Sequence, residues 1–191
     1  TISHMKTQNN KTQIRIGAVN FVNTLPLIDG LEKIANIQLQ TKVPSSLINL
    51  LLNDEVDIAL CSIIDYQMSK QPLVIVPAGL LGCDGSTMTV RLFSSVPINR
   101  ITKVHCDTDS HTSVKLMQII LHDKNGTIPQ LIDYNAKTHT AKNGTSVQWP
   151  ESVLLIGDKV VTDATPAIRY PYQLDLGAEW KENTGLPFVF A

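Results

Sequence analysis

Residues 14–27, which read IRIGAVNFVNTLPL, constrain the fold of this chain more than any other stretch. The first six are rich in β-branched and aliphatic side chains, which predicts a buried strand. A polar turn follows, and Pro26 is a favoured residue for the first turn of a helix. Because ligands of open α/β sheets bind outside the carboxyl ends of strands, this turn is a candidate ligand site. A strand-to-helix loop without a ligand is the alternative.

Strands alternate with helices in the first part of the chain, and strands joined in this way run parallel. The predicted strands cover residues 14–19, 37–43, 56–60 and 73–76. Predicted helices cover residues 26–35 and 44–53, and a further helical turn carries Asp65. The expected fold class is therefore α/β with a largely parallel sheet.

The pattern changes near Gly79, which suggests a second lobe. Its predicted strands are residues 87–93, 104–106, 131–134 and 153–156, and its predicted helices are residues 112–122 and 174–182. We predict a first lobe over residues 14–78, a second over 79–185, and a terminal strand, residues 186–191, that returns to the first lobe. Residues 1–13 are interpreted as a tag and polar leader. A core strand at the last residue indicates that part of the first lobe is missing from this chain.

The composition limits the classes of partner that this chain can bind. The 16 Lys and Arg residues are balanced by 17 Asp and Glu, for a formal net charge of −1, and they form no basic run. Nucleic acid is therefore excluded as the principal partner. The apolar runs are too short to cross a bilayer, so no membrane partner is expected. Three scattered cysteines, Cys61, Cys83 and Cys106, fit a reduced, cytoplasmic protein.

Polar turns follow several predicted strands and supply candidate site residues. At residues 110–113 the turn coincides with a helix start, where free N–H groups and the helix dipole favour a carboxylate. N-capping by Ser110 or Thr112 explains the same residues without a ligand, and Ser62 equally fits a buried strand end. The candidate substrate-binding residues are Asn20, Ser62, Asp84, Gly85, Ser110, His111, Thr112, Ser113, Gly157 and Asp158.

The sequence contains no nucleophile elbow, phosphate loop or dinucleotide fingerprint. Its five histidines have no metal-ligand spacing, so neither a metal nor a cofactor is predicted. His111 alone stands beside the candidate anion site. Asp65 fits a solvated helix position as well as a site position. Spacing alone therefore supports a two-lobed protein that binds a small anionic molecule.

Several segments occur together in the order found in one enzyme family. They read GAVNFVNTLPL at residues 17–27, GCDG at 82–85, HTSV at 111–114, LLIGD at 154–158 and WKENTGLPFVFA at 180–191. Through them the chain resembles, over residues 14–191, the chorismate dehydratases of the futalosine route to menaquinone. The resemblance implies a fold like that of type 2 periplasmic binding proteins, with the substrate closed between two lobes. It also implies a cytoplasmic lyase that converts chorismate to 3-[(1-carboxyvinyl)oxy]benzoate and water without a metal or cofactor.

The resemblance also assigns residues. The family's cleft asparagine falls on Asn23 and its cleft hydroxyl, ordinarily serine, on Thr89. Its helix-start hydroxyls fall on Thr112 and Ser113, and His111 stands where arginine is frequent. Family chains continue past the final strand with helices that complete the first lobe.

Two other functions fit the same pattern. A non-catalytic solute-binding protein for a small carboxylate shares the expected fold, because fold does not determine function. The related family that forms dihydroxynaphthoate later in the pathway is the second alternative. For the dehydratase, Asp84 and Asp158 lie in glycine-containing turns that favour a structural role. We therefore hypothesise that the base is the enolpyruvyl carboxylate of chorismate itself.

Overall fold

A computed structural model of the chain describes residues 13–126, 128–141, 143–146, 149–162, 169–189 and 191. The interpreted leader, apart from residue 13, and Phe190 of the predicted terminal strand lie outside the described residues. The strands are β1 (Ile14–Val19), β2 (Ile37–Lys42), β3 (Ile58–Ala59), β4 (Gly82–Cys83), β5 (Val90–Ser94), β6 (Lys103–Asp107), β7 (Gln130–Asn135), β8 (Thr140–Ala141), β9 (Ser152–Ile156), β10 (Tyr172–Asp175) and β11 (Phe188–Val189). The α-helices are α1 (Leu25–Ile28), α2 (Pro44–Leu52), α3 (Ile63–Met68), α4 (His111–Asn125), α5 (Lys159–Thr162) and α6 (Leu176–Thr184). The chain thus has the mixed α/β fold that the sequence predicts.

The first sheet is parallel and has three strands in the order β2-β1-β3. Helix α2 covers one face, and its fully buried Leu47 packs on Gly17 of β1. A Cβ atom at residue 17 would lie 3.0 Å from the Leu47 side chain. The glycine in this strand therefore admits a core leucine, which brings α2 close to the sheet.

Two predictions in this part of the chain were wrong. Residues 73–76 form no strand, and the Val74 side chain is 89% exposed. An apolar run becomes a strand only where a neighbouring strand pairs with it, and none of the described strands does so here. The predicted helix at 26–35 ends at Ile28, because Gly30 adopts a left-handed φ of +80°. A short 3₁₀ turn, Leu31–Lys33, follows.

The second sheet is mixed and has six strands in the order β10-β5-β9-β6-β7-β8. Strand β6 runs parallel to β7 and β9, whereas β5 is antiparallel to both β9 and β10. Buried residues of α4, including Met117 and Ile120, pack with Leu92 and Leu154 of the sheet. The helix predicted at 174–182 begins only at Leu176, after β10, because Asp175 caps it through the amides of Gly177 and Ala178.

The terminal strand β11 pairs antiparallel with β4. Its Phe188 is 5% exposed and packs in the same core as the second sheet, α4 and α6. The division into lobes at residue 79 and the return of residues 186–191 to the first lobe stay predictions. None of the helices within the described ranges combines the length and apolar character that a membrane crossing requires.

Candidate functional site

The loop after β1 carries two predicted site residues. The Asn20 amide donates to a carbonyl of β2 at 3.0 Å and so extends the ladder between the two strands. A 3₁₀ turn, Val22–Thr24, follows, closed by the Thr24 amide donating to the Phe21 carbonyl at 3.0 Å. Asn20 and Asn23 are exposed, whereas Thr24 is completely buried and its hydroxyl has no described partner. Local sequence did not distinguish Thr24 from an ordinary loop threonine.

The turn after β3 also contains buried polar groups. Ser62 precedes α3 and is 1% exposed, but its hydroxyl makes no capping bond and has no described partner. Asp65, in the first turn of α3, is buried as well. Burial, together with the charge of Asp65, raises the pKa of the neighbouring Cys61 thiol to about 12. Cys61 is therefore a neutral thiol and no nucleophile at physiological pH.

The start of α4 is capped by its own serine. The Ser113 amide donates to Ser110 Oγ at 3.3 Å, and the two serine hydroxyls lie 3.0 Å apart. The capping alternative for Ser110 is thus realised, and it occupies one of the free N–H groups of this helix start. Ser110, Thr112 and Ser113 are all buried, while His111 is exposed on the same turn.

Two hydrogen bonds connect this helix start to the first part of the chain. His111 Nδ1 lies 2.7 Å from Asp65 Oδ1. The Ser45 amide, at the start of α2, donates to the carbonyl of Asp109 at 3.1 Å. The starts of α2, α3 and α4 therefore meet in one region, where the dipoles of the two longer helices, α2 and α4, favour an anion and the buried carboxylate of Asp65 opposes one.

A buried ion cluster (Asp107, Asp109 and Lys159) supports this region, and sequence reasoning missed it. Lys159 Nζ lies 2.5 Å from Asp107 Oδ2 and 2.7 Å from Asp109 Oδ2. Burial raises the pKa of Asp107 above its ordinary value, and the charge of Lys159 opposes that rise. The Ile156 amide also donates to Asp107, at 3.3 Å. The cluster ties the ends of β6 and β9 together.

The turn after β9 makes a further connection across the chain. Gly157 has a left-handed φ of +65°, and its amide donates to the Thr89 carbonyl at 2.8 Å. The Phe21 ring lies directly against Gly157. Asp158 closes the first turn of α5 through its carbonyl, which accepts from the Val161 amide at 2.9 Å. Residues 89 and 157 are thereby placed beside the loop that carries Asn23.

A hydrogen-bonded turn holds Thr89 at the start of β5. Asp175 accepts from the amides of Thr87 and Met88, at 2.8 and 2.7 Å, and from the Ser86 hydroxyl at 2.8 Å. Burial works against ionisation of Asp175, yet these bonds hold its pKa below the ordinary value. Met88 accordingly keeps a left-handed φ of +59°. These hydrogen bonds to Asp175 constrain the turn that leads into Thr89.

Asp84 and Gly85 belong to a different neighbourhood. The Asp84 carboxylate pairs with Lys181 of α6 at 2.6 Å and is 69% exposed. The Gly85 carbonyl accepts from the Cys83 thiol at 3.3 Å and also faces Gly177 in α6. These contacts place both residues against α6.

One cavity lies away from all of these residues. It has a volume of about 570 Å³ and lies along the β6–β7–β8 edge of the second sheet. Its lining is formed by His105, Leu131, Ile132, Asp133, Ala141, Asn143 and Thr145. Because none of the predicted site residues lines it, the candidate site is defined by convergent hydrogen-bonding groups at strand ends.

Together these groups form a region suited to a small carboxylate. It combines the Ser62 hydroxyl, which is buried and has no partner among the described residues, with the Asp65–His111 pair and the neighbouring helix starts. Buried polar atoms almost always have partners, so a ligand with hydrogen-bonding groups would complete this region.

Comparison with known proteins identifies a matching family and a relative in another organism. Residues 14–191 match a family model described as menaquinone biosynthesis. A chorismate dehydratase of Thermus thermophilus is 27% identical over 191 residues, an alignment that covers 92% of this chain and 67% of that protein.

Two solved structures share the fold. A crystal structure of a protein from Archaeoglobus fulgidus superposes with a TM-score of 0.66 at 15% identity, covering 95% of this chain and 67% of that one. The structure of an ABC transporter from Parabacteroides distasonis superposes with a TM-score of 0.52 at 18% identity, covering 94% of this chain and 64% of that one. At these identities the likeness concerns the fold alone.

Proposed function

The chain belongs to the menaquinone biosynthesis family, and from this premise we propose that it is a carbon–oxygen lyase that dehydrates chorismate. The product is 3-[(1-carboxyvinyl)oxy]benzoate, and the proposed partner is the small-molecule substrate. The relative from Thermus thermophilus, a chorismate dehydratase, supports this reaction. The observation that carries the proposal is the meeting of Ser62, at the start of α3, with the Asp65–His111 hydrogen bond at the start of α4, because chorismate brings two carboxylates and a hydroxyl to bind. A cytoplasmic site of action agrees with a biosynthetic reaction.

We propose that the site lies between two lobes, residues 14–78 and 79–185. The likeness to an ABC transporter structure supports an arrangement like that of periplasmic binding proteins. The hydrogen bond from Ser45 to Asp109 and the contact of Phe21 with Gly157 cross that division. The substrate would bind between the groups on either side of these contacts, and the two lobes would close around it.

Within this site, Asn23 and Thr89 are the proposed catalytic residues, one from each lobe. Asn23 is exposed two residues after Phe21, and Phe21 packs on the glycine that donates to Thr89. The Asn23 amide can donate to the leaving hydroxyl or to a carboxylate, and the Thr89 hydroxyl can do so by exchanging its 3.3 Å bond to the Thr87 carbonyl for one to the substrate. The predicted substrate-binding residues stay proposals, namely Asn20, Ser62, Ser110, His111, Thr112, Ser113, Gly157 and Asp158, together with Asp84 and Gly85, which lie against α6.

The reaction places modest demands on the protein. Loss of the C3 hydrogen and the C4 hydroxyl as water aromatises the ring, which makes the elimination strongly favourable. The enolpyruvyl ether on C3 holds its carboxylate within reach of the C3 hydrogen, so the substrate can supply the base. The protein then has to hold that carboxylate in place, and orientation of this kind is worth several kcal/mol.

Incubation of the full-length protein with chorismate tests the proposal. We expect the ultraviolet spectrum of chorismate to be replaced by that of the benzoate, without added metal or nucleotide, and a protein-free sample serves as the control. Unchanged chorismate after long incubation with folded protein would overturn the proposal. Tight binding of chorismate without turnover would instead identify a solute-binding protein.

A further inference from the structure

Asp65 and His111 form a hydrogen-bonded carboxylate–imidazole pair at the proposed site. The two side chains come from α3 and α4, and Asp65 Oδ1 lies 2.7 Å from His111 Nδ1. The Asp65 side chain is 9% exposed and that of His111 is 49% exposed. Because a carboxylate only accepts, Nδ1 of His111 carries a hydrogen, which leaves Nε2 to exchange a proton with a ligand.

Two buried polar atoms at this pair have no hydrogen-bond partner among the described residues. Asp65 Oδ2 is buried without one among the described residues, and so is the hydroxyl of Ser62 three residues earlier. A ligand beside His111 would meet these acceptors and donors together. This arrangement is typical of catalytic sites in which a carboxylate orients an imidazole and the imidazole transfers a proton.

We infer that in this chain His111, which stands where arginine is frequent in the family, is the general acid of the dehydration, and that Asp65 is the residue that positions it. The inference rests on the proposed function. As the C4–O bond breaks, the imidazolium gives its Nε2 proton to the departing hydroxyl, which leaves as water. The C3–H electron pair becomes the new C3=C4 bond, and the C3 proton passes to the substrate carboxylate. Solvent then reprotonates His111 and removes the proton from the product.

The raised pKa of His111 and the charges near it favour the role of a general acid. The hydrogen bond from Asp65 raises the pKa of His111 above its ordinary value, although burial acts in the opposite direction. The other titratable groups of α3 and α4 are Tyr66 beside Asp65, Lys115 one turn after His111, and His122, Asp123 and Lys124 near the far end of α4. Cys61 precedes α3, Asp158 precedes α5, and the buried ion cluster joins the segment before α4 to α5. Within that cluster the two aspartates are engaged by the lysine, so Asp65 is the carboxylate in contact with the imidazole.

The pH dependence of kcat tests the inference in full-length protein. For the wild type, kcat should fall as pH rises through the raised pKa of His111, because the acid form is lost. His111→Gln should lower kcat by about 100- to 10,000-fold and abolish that fall. Asp65→Asn should move the fall to lower pH, because the group that raises the pKa of His111 is gone.

Two further variants separate loss of the acid from loss of any histidine and from loss of the positive charge. His122→Gln is the matched control, because His122 is 59% exposed near the other end of α4 and lies 3.7 Å from its own aspartate, Asp123; its kcat and pH profile should equal those of the wild type. His111→Arg keeps a positive charge but cannot release a proton near neutral pH. It should retain KM and lose kcat.

The outcomes are distinct. A pH-dependent fall that persists in His111→Gln, or full kcat in His111→Arg, overturns the acid role while the proposed function stands. A profile unchanged in Asp65→Asn overturns the positioning role. Wild-type protein that leaves chorismate intact overturns the proposed function and the acid role with it. Circular dichroism of each variant confirms that the comparison is between folded proteins.

Discussion

The ring of Phe21 lies against Gly157, so closely that a Cβ atom at residue 157 would be 3.0 Å from ring carbons Cδ2 and Cε2. Phe21 belongs to the loop after β1, and Gly157 to the turn after β9. The Gly157 amide also donates to the Thr89 carbonyl at 2.8 Å. One glycine therefore sets the separation between the loop that carries Asn23 and the strand start that carries Thr89.

Substitution of Gly157 by Ala should disturb both stability and catalysis. The left-handed φ of +65° is unfavourable for alanine by about 1–2 kcal/mol. The new methyl group must also displace Phe21, and a misplacement of about 1 Å at a site can lower turnover by about 100-fold. Chemical unfolding and chorismate turnover measure the two effects.

The control for this variant is Gly126→Ala. Gly126 has a similar φ, +69°, but nothing lies within 4 Å of the place of its Cβ atom. It should show the backbone strain alone and keep wild-type turnover. Equal turnover in the two variants would show that the contact with Phe21 does not position the site.

Asn23→Ala and Thr89→Ala should each lower kcat/KM by about ten- to a hundred-fold, the effect of losing a hydrogen bond to a charged group. Thr89→Ser retains the hydroxyl and should stay active. Because Asn23 is exposed, its removal should leave the unfolding free energy unchanged. Asn53→Ala, an exposed asparagine at the end of α2, is the control. Wild-type kinetics in both alanine variants would assign these turns a structural role only.

Asp84→Asn and Asp158→Asn address the identity of the base. The carboxylate of Asp84 forms an ion pair with Lys181, and the carbonyl of Asp158 closes the first turn of α5. Because both residues have these structural roles, each variant should change turnover only a few-fold. Steady-state assays with chorismate measure this. A fall of about 10,000-fold with substrate binding intact would make that aspartate the base and end the hypothesis of substrate-assisted elimination.

Lys159→Met should strongly destabilise the protein, because it leaves the buried Asp107 carboxylate and the partly exposed Asp109 carboxylate without their cation. Loss of one partner of a buried ion pair costs about 3–5 kcal/mol. The pKa of Asp107 is already raised by burial, and without Lys159 it should rise further. A group whose pKa is raised on folding stabilises the fold at low pH, and that stability is lost as pH rises through the folded pKa. The destabilisation should therefore be larger at alkaline than at acidic pH.

Urea unfolding of this variant at acidic and at alkaline pH provides the measurement. Lys181→Met, which breaks the exposed pair with Asp84, is the matched control and should cost less than about 1 kcal/mol at either pH. Addition of Asp107→Asn to Lys159→Met should recover part of the loss. The same loss at both pH values would contradict a charged role for the cluster.

The sequence by itself determined the elements that have a strong local signal. The predicted strand at residues 14–19 is β1 itself, and the predicted helices at 44–53 and 112–122 correspond to α2 and α4. Hydrophobic periodicity and the proline or serine at a helix start are encoded within a few neighbouring residues. Residues 73–76 show the limit, because an apolar run carries no information on whether a partner strand is present.

Only the tertiary structure decided which polar residues share a site. From sequence, Asp65 fits a solvated helix position, yet α4 buries it and brings it to His111, 46 residues away. Lys159 is likewise charged and unremarkable in sequence until the ends of β6 and β9 enclose it with Asp107. Burial and pairing depend on contacts between distant segments, so the physical state of these groups is set by packing that no local pattern records.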